Sequence, residues 1–171
     1  MKNKKVRFAL ALFVILLLFL IIKTTVNIGI TASNLERDAR KSQKIDDTWV
    51  VSKSVNKNIG AMIFYGDARD HFTFSIYLNP EGLSFGYFFA GGGATGGIED
   101  GISEFTFENK GSALISMNKK KVAQIELDNG IKVTNINIDS TKPFAEVIPS
   151  NCGKITLYDV YGNEVSMTDV D

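Results

Sequence analysis

The sequence predicts an all-β fold, an antiparallel β-sandwich or open barrel, preceded by a single N-terminal transmembrane helix. Three observations carry this. Residues 8–22 form an unbroken apolar run, with Lys2, Lys4, Lys5 and Arg7 before it and Lys23 after it. From Trp49 onward the apolar residues come in short β-branched and aromatic runs, broken by Gly, Asn, Asp and Pro. No segment after the apolar run sustains a helical apolar stripe.

The apolar run holds 15 residues. At a helical rise it spans roughly 22 Å, short of the ~30 Å hydrocarbon core. Extension through Val26, Ile28 and Ile30 restores a spanning length, with Lys23 snorkelling to the interface. A signal-peptidase site needs small residues just after the apolar run, and Lys23-Thr24-Thr25-Val26 does not supply them. The expected organisation is a basic cytoplasmic tail at 1–7, a signal anchor at 8–30, a polar stalk at 31–47 and an extracytoplasmic β-rich domain at 48–171. The dense basic cluster before the run places the N-terminus inside. The expected location is the cell membrane, single-pass, with the C-terminal domain outside.

This layout resembles that of type IV pilins. The resemblance stops at their processing site, because Arg7-Phe8-Ala9-Leu10-Ala11-Leu12 has neither a Gly before the Phe nor a Glu after it.

The zero net charge hides a split. Residues 1–45 carry nine Lys/Arg against Glu36 and Asp38, leaving +7. Residues 46–171 carry ten Lys/Arg against seventeen Asp/Glu, leaving −7. An acidic domain disfavours nucleic acid as a partner, since phosphate contacts need cations. The expected partners are the membrane, through the N-terminal helix, and an envelope protein or surface polymer. Cys152 is the only cysteine, so there is no intrachain disulfide and the core must hold by burial.

The element order follows from alternation and turns. Residues 33–44 are polar without an apolar stripe and read as the stalk. Residues 59–65 are apolar on both faces and suit the middle of a sheet. Residues 71–79 alternate Phe72, Phe74, Ile76 and Leu78 against Thr73, Ser75 and Tyr77, the pattern of a half-buried strand. Asn79-Pro80-Glu81-Gly82 is a turn. The strand at 83–90 then puts Leu83, Phe85, Tyr87 and Phe89 inward, which leaves Tyr77 and Phe88 outward. Residues 103–107 turn Phe105 and Phe107 inward. Strands at 113–117, 122–127 and 131–138 follow, with a tight turn at Asp128-Asn129-Gly130 and a bulge near Thr134-Asn135. A hairpin over Tyr161-Gly162-Asn163 closes the domain.

Three features invite a chemical reading. Residues 90–97 hold Gly91, Gly92, Gly93, Gly96 and Gly97, and formally satisfy GxGxxG. A dinucleotide site needs a helix after the glycines, and Ile98-Glu99-Asp100-Gly101 does not read as one, so no cofactor is expected. The segment reads instead as a loop able to close over a partner, with Tyr77 and Phe88 completing the contact surface.

Cys152 and His71 are each the sole residue of their type and could form a thiolate–imidazole pair. An anchored β-domain with one Cys and one His resembles sortases, transpeptidases of Gram-positive surfaces, in architecture. The likeness implies acyl transfer with Cys152 as nucleophile. The family's Thr-Leu-x-Thr-Cys strand end is replaced here by Ile148-Pro149-Ser150-Asn151, and Arg69 is the last Arg of the chain. Asp67, Asp70 and His71 lie within five positions and could hold a cation, although an Asp-rich turn explains them as well. The expected function is a non-enzymatic, membrane-anchored binding module of the cell envelope. Sortase-like thiol chemistry and cation binding are the alternatives.

Overall fold

The computed structural model describes residues 10, 12–17, 27–69, 71–82 and 84–167. The apolar run and its basic flank lie mostly outside this set. Within the run, residues 12–17 are helical and their side chains are exposed. No helix among the described residues is long and apolar enough to cross a membrane.

The domain is built of antiparallel sheets. Strands β2 (Val50–Val55), β3 (Ile59–Tyr65), β4 (Phe72–Leu78) and β6 (Phe88–Gly93) form one sheet in the order β2-β3-β4-β6. Strands β7 (Ser103–Phe107), β8 (Gly111–Ser116) and β11 (Phe144–Pro149) form a second, ordered β11-β8-β7. Strands β9 (Val122–Asp128), β10 (Val133–Asn137), β12 (Lys154–Asp159) and β13 (Glu164–Val165) form a third, ordered β10-β9-β12-β13. A parallel ribbon joins β1 (Asn27–Ile28) to β5 (Ser84–Phe85). The helices are α1 (Leu35–Gln43), entered through a 3-10 turn at Ala32–Asn34, and the single turn α2 (Gly96–Asp100).

The alternation of side chains explains how the layers stack. The β11-β8-β7 sheet is shared by two cores. Ala113 and Ile115 of β8 and Ala145 and Val147 of β11 pack with Ile59, Ala61, Ile63, Phe74 and Ile76 of the first sheet. Leu114 of β8, with Phe144 and Ile148 of β11, packs with Val122, Ile125 and Leu127 of β9 and Leu157 of β12. Phe74 and Phe105 stack across the first core with ring centroids 5.0 Å apart. Every residue of β3 is buried, as its two-faced apolar sequence predicts.

The second face of β3 and β4 is covered by α1, and this corrects the stalk expected at 31–47. Leu35 and Ala39 are buried in a third cluster with Met62, Phe64, Tyr77 and Tyr87. Leu35 retains 1% of its surface, and burying it contributes about 2 kcal/mol. The helix is short and polar, but its end charges are placed well. Glu36 and Asp38 lie in the first turn and Arg40 and Lys41 in the last, each complementing the helix dipole. Arg40 pairs with Glu36 at 3.2 Å, lies 5.0 Å from the Phe64 ring centroid, and donates to the Asp46 and Trp49 carbonyls.

Two strand expectations also change. The strand read at 83–90 is broken at Gly86, whose φ of +90° lies in the left-handed region. The kink turns β5 away to pair with β1, and a Cβ at Gly86 would sit 2.8 Å from the Ile30 carbonyl oxygen. Phe85, expected inward, is exposed. No bulge occurs near Thr134-Asn135, since the β9–β10 register is continuous. Ile131 and Val133 simply face solvent, while Ile136 and Ile138 pack on the second core. The expected tight turn at Asp128-Asn129-Gly130 is present, with the Asp128 and Asn129 side chains accepting from backbone N–H groups.

Candidate functional site

The glycine segment is mainly a strand and not a loop. Gly91, Gly92 and Gly93 lie in β6 and pair with Ile76, Ser75 and Phe74 of β4. Only Ala94 and Thr95 separate this strand from α2, which Gly96 and Gly97 open. The helical turn overturns the expectation that no helix starts there. It does not restore a dinucleotide motif, because that motif needs its first glycine in a tight turn and Gly91 is paired within β6. Glu99 and Asp100 of α2 both meet Lys119, at 3.3 and 3.0 Å.

β6 closes the first sheet and pairs on one side only. Other sheet edges carry charges that discourage pairing with a foreign strand: Lys53 in β2, Glu104 in β7, Glu146 in β11 and Glu164 in β13. β10 carries the polar Thr134, Asn135 and Asn137. β6 reads Phe88-Phe89-Ala90-Gly91-Gly92-Gly93, with no charge and three successive positions without side chains. A Cβ at Gly91 or Gly93 would meet nothing within 4 Å. Phe89 beside them is 52% exposed.

Gly92 faces inward. Its Cβ would lie 2.5 Å from the Phe74 carbonyl oxygen and 2.7 Å from Gln43 Nε2. That space lets Gln43, the last residue of α1, donate to the Phe74 carbonyl at 3.2 Å and Ser75 Oγ at 2.5 Å, and accept from Thr73 Oγ1 at 2.8 Å. Thr73 also donates to the Gly93 carbonyl at 3.0 Å. The helix end therefore fixes β4 and β6 as one rigid platform.

The expected aromatic contacts are exchanged. Tyr77, expected outward, is completely buried under α1. Its hydroxyl donates to Asp38 Oδ2 at 2.8 Å, and burial first and the Asp38 carboxylate second push its ionisation far above the usual phenol range. Phe88 is half-buried, against the Gly29 backbone. Phe89, expected inward, sits edge-on to Tyr77 with centroids 5.5 Å apart and is exposed on its other side. Sequence alternation missed this because the register shifts between Ile76 and Tyr77, opposite Ala90.

Cys152 and His71 are not brought together. His71 is exposed at the start of β4, and the Gly66 N–H donates to its carbonyl. The same turn reaches the segment before β11, where Arg69 donates to the Thr141 carbonyl at 2.5 Å. Cys152 lies past the other end of β11, a strand about 17 Å long. The hollow beside Cys152, about 220 Å³, is lined by Lys132, Asn129, Thr134 and Asn151 among others and holds no imidazole or carboxylate. Burial pushes the thiol above its ordinary value, the reverse of an activated nucleophile. Asp67 is exposed, and Asp70, the third potential cation ligand, lies outside the described residues. Among the described residues no three His, Cys, Asp or Glu side chains group as a cation site.

A groove of about 520 Å³ runs past Arg69, Asn118, Lys119 and Thr141. Its polar core is structural. The buried Asn118 amide donates to the Val122, Asp139 and Lys142 carbonyls and accepts from the Val122 N–H. No family model matches this chain, and neither does any curated protein or solved structure.

Proposed function

We propose that this chain is a membrane-tethered, non-enzymatic binding module that captures an extended segment of an envelope partner on the open edge of β6. The anchor reading rests on the 8–22 apolar run and its basic flank, continued only through residue 26 for a helical length of about 28 Å, because Ile28 and Ile30 pair with the domain instead of extending the anchor to residue 30. The binding reading rests on one observation: β6 is an edge strand with no charge, three glycines and an exposed Phe89. An incoming strand would gain main-chain hydrogen bonds along 88–93, and its alternate side chains would reach Phe89. The bare glycines allow close backbone approach. Gln43 and α1 hold the platform behind the strand, which limits the ordering cost of binding.

The test is site-specific photocross-linking from a benzoyl-phenylalanine at position 89 in intact cells. A discrete adduct from position 89, absent from a probe placed at Tyr161 in the β12–β13 turn, supports capture at β6. Equal labelling from both positions, or none, counts against it.

A further inference from the structure

The N-terminal end of the domain carries a second exposed surface. In the β1–β5 ribbon Ile28 pairs with Phe85, and these side chains are 82% and 61% exposed. The strand continues through Gly29, which donates to the Phe85 carbonyl at 2.6 Å, and Ile30, which bridges Tyr87. Beside this strand a groove of about 490 Å³ is lined by Gly29, Ile30, Thr31, Asn34, Arg37, Asp38 and Lys41. Arg37 and Lys41 stand one turn apart on α1, exposed, and form no ion pair among the described residues. Asp38 is already engaged by Tyr77.

Two facts select the occupant. The apolar run ends at Ile22, and Asn27 opens β1 five residues later, a reach of at most about 18 Å. The cations belong to residues 27–45, where Arg37, Arg40, Lys41 and Lys44 stand against Glu36 and Asp38 and leave +2, whereas residues 46–171 carry −7. Anionic headgroups would attract this end and repel the remaining surface. Exposed apolar side chains on the strand that borders this cation-lined groove form an amphipathic membrane-contact surface.

We infer that Ile28, Phe85, Arg37 and Lys41 form a docking face that seats the domain on the anionic bilayer surface that anchors it. Ile28 and Phe85 enter the headgroup region, and Arg37 and Lys41 meet lipid phosphates. This inference rests on the tether proposed above. It adds a fixed orientation, which points β6 residues 91–93 away from the point of chain entry.

The test uses the full chain reconstituted in vesicles. Replacing the single cysteine by Cys152→Ser allows one environment-sensitive fluorophore at Phe85→Cys, or at Tyr161→Cys as the distant control. Vesicle flotation reports the tether, and a headgroup-level lipid quencher reports docking. The expected result is flotation of both proteins, with quenching at position 85 but not 161 in vesicles containing phosphatidylglycerol. Adding Arg37→Glu and Lys41→Glu should lower the docked fraction about tenfold or more, with flotation unchanged. Flotation without quenching at 85, or quenching insensitive to the double charge reversal, overturns the docking face alone. Failure to float overturns the tether and the docking together.

Discussion

The Tyr77 hydroxyl donates to an Asp38 carboxylate oxygen at 2.8 Å, joining the C-terminal end of β4 to α1. This pair makes the polar segment before the sheets part of the domain. Tyr77→Phe keeps the packing and deletes the bond, and should cost about 1–2 kcal/mol, since the acceptor is charged but partly open to water. Denaturant unfolding of the two proteins checks this, with an unchanged m-value marking an unaltered fold.

Leu35→Ala should destabilise by about 2–4 kcal/mol, because Leu35 is enclosed by the third cluster. A chain beginning at residue 46 loses the whole lid and exposes Met62, Phe64, Tyr77 and Tyr87. It should unfold at much lower denaturant than a chain beginning at residue 27. Equal midpoints would mean that α1 is a passive stalk.

The two central glycines of β6 should respond oppositely. Gly92→Ala pushes a methyl group into the Phe74 carbonyl and the Gln43 amide, and should cost about 1–3 kcal/mol. Gly91→Ala meets nothing and should be neutral or stabilising by up to about 1 kcal/mol. Thermal melts of both variants separate a structural glycine from one kept bare for access.

Glu146 gives a pH signature. It lies partly buried in β11, accepts from Ser54 at 3.0 Å, and burial raises its pKa above the ordinary 4.5. The folded state therefore holds this proton more tightly than the unfolded chain, so the carboxyl subtracts stability as pH rises through and beyond 4.5. Glu146→Gln should raise the melting temperature at pH 7, and the gain should vanish below about pH 4. A gain of equal size at both pH values would assign the effect to packing.

Cys152 should alkylate slowly at neutral pH, with the rate rising only in the alkaline range, as burial favours the neutral thiol. Fast labelling below about pH 7 would revive a nucleophilic role.

Much of the sheet framework is legible in the sequence, where period-two alternation and turn chemistry agree. The two-faced apolar run of β3, the Phe72-Phe74-Ile76-Leu78 face and the Asn129-Gly130 turn are examples. Strand β11 escapes notice because Phe144-Ala145-Glu146-Val147-Ile148 does not alternate; it is buried on both faces between two cores. The packing of helix α1 on the sheet escapes because its apolar stripe is only Leu35 and Ala39, and its remaining grip comes from Tyr77, Gln43 and Arg40 through polar atoms. The glycine segment is conspicuous in sequence, but its pairing is set by β4, thirty residues of loop and strand away from α1. The register shift at Ile76/Tyr77 then decides which aromatic is exposed, and no local pattern encodes it.

The most direct test of the β6 edge as a capture strand is a charge placed on it. Gly91→Lys adds a cation where a Cβ meets nothing, so the fold is preserved while strand addition is blocked. Ile131→Lys, at a position 95% exposed in the turn between β9 and β10, is the control. Cross-linking yield from position 89 should fall at least tenfold with Gly91→Lys and stay unchanged with Ile131→Lys, at equal melting temperatures. An adduct that survives Gly91→Lys at full yield would contradict capture on this edge.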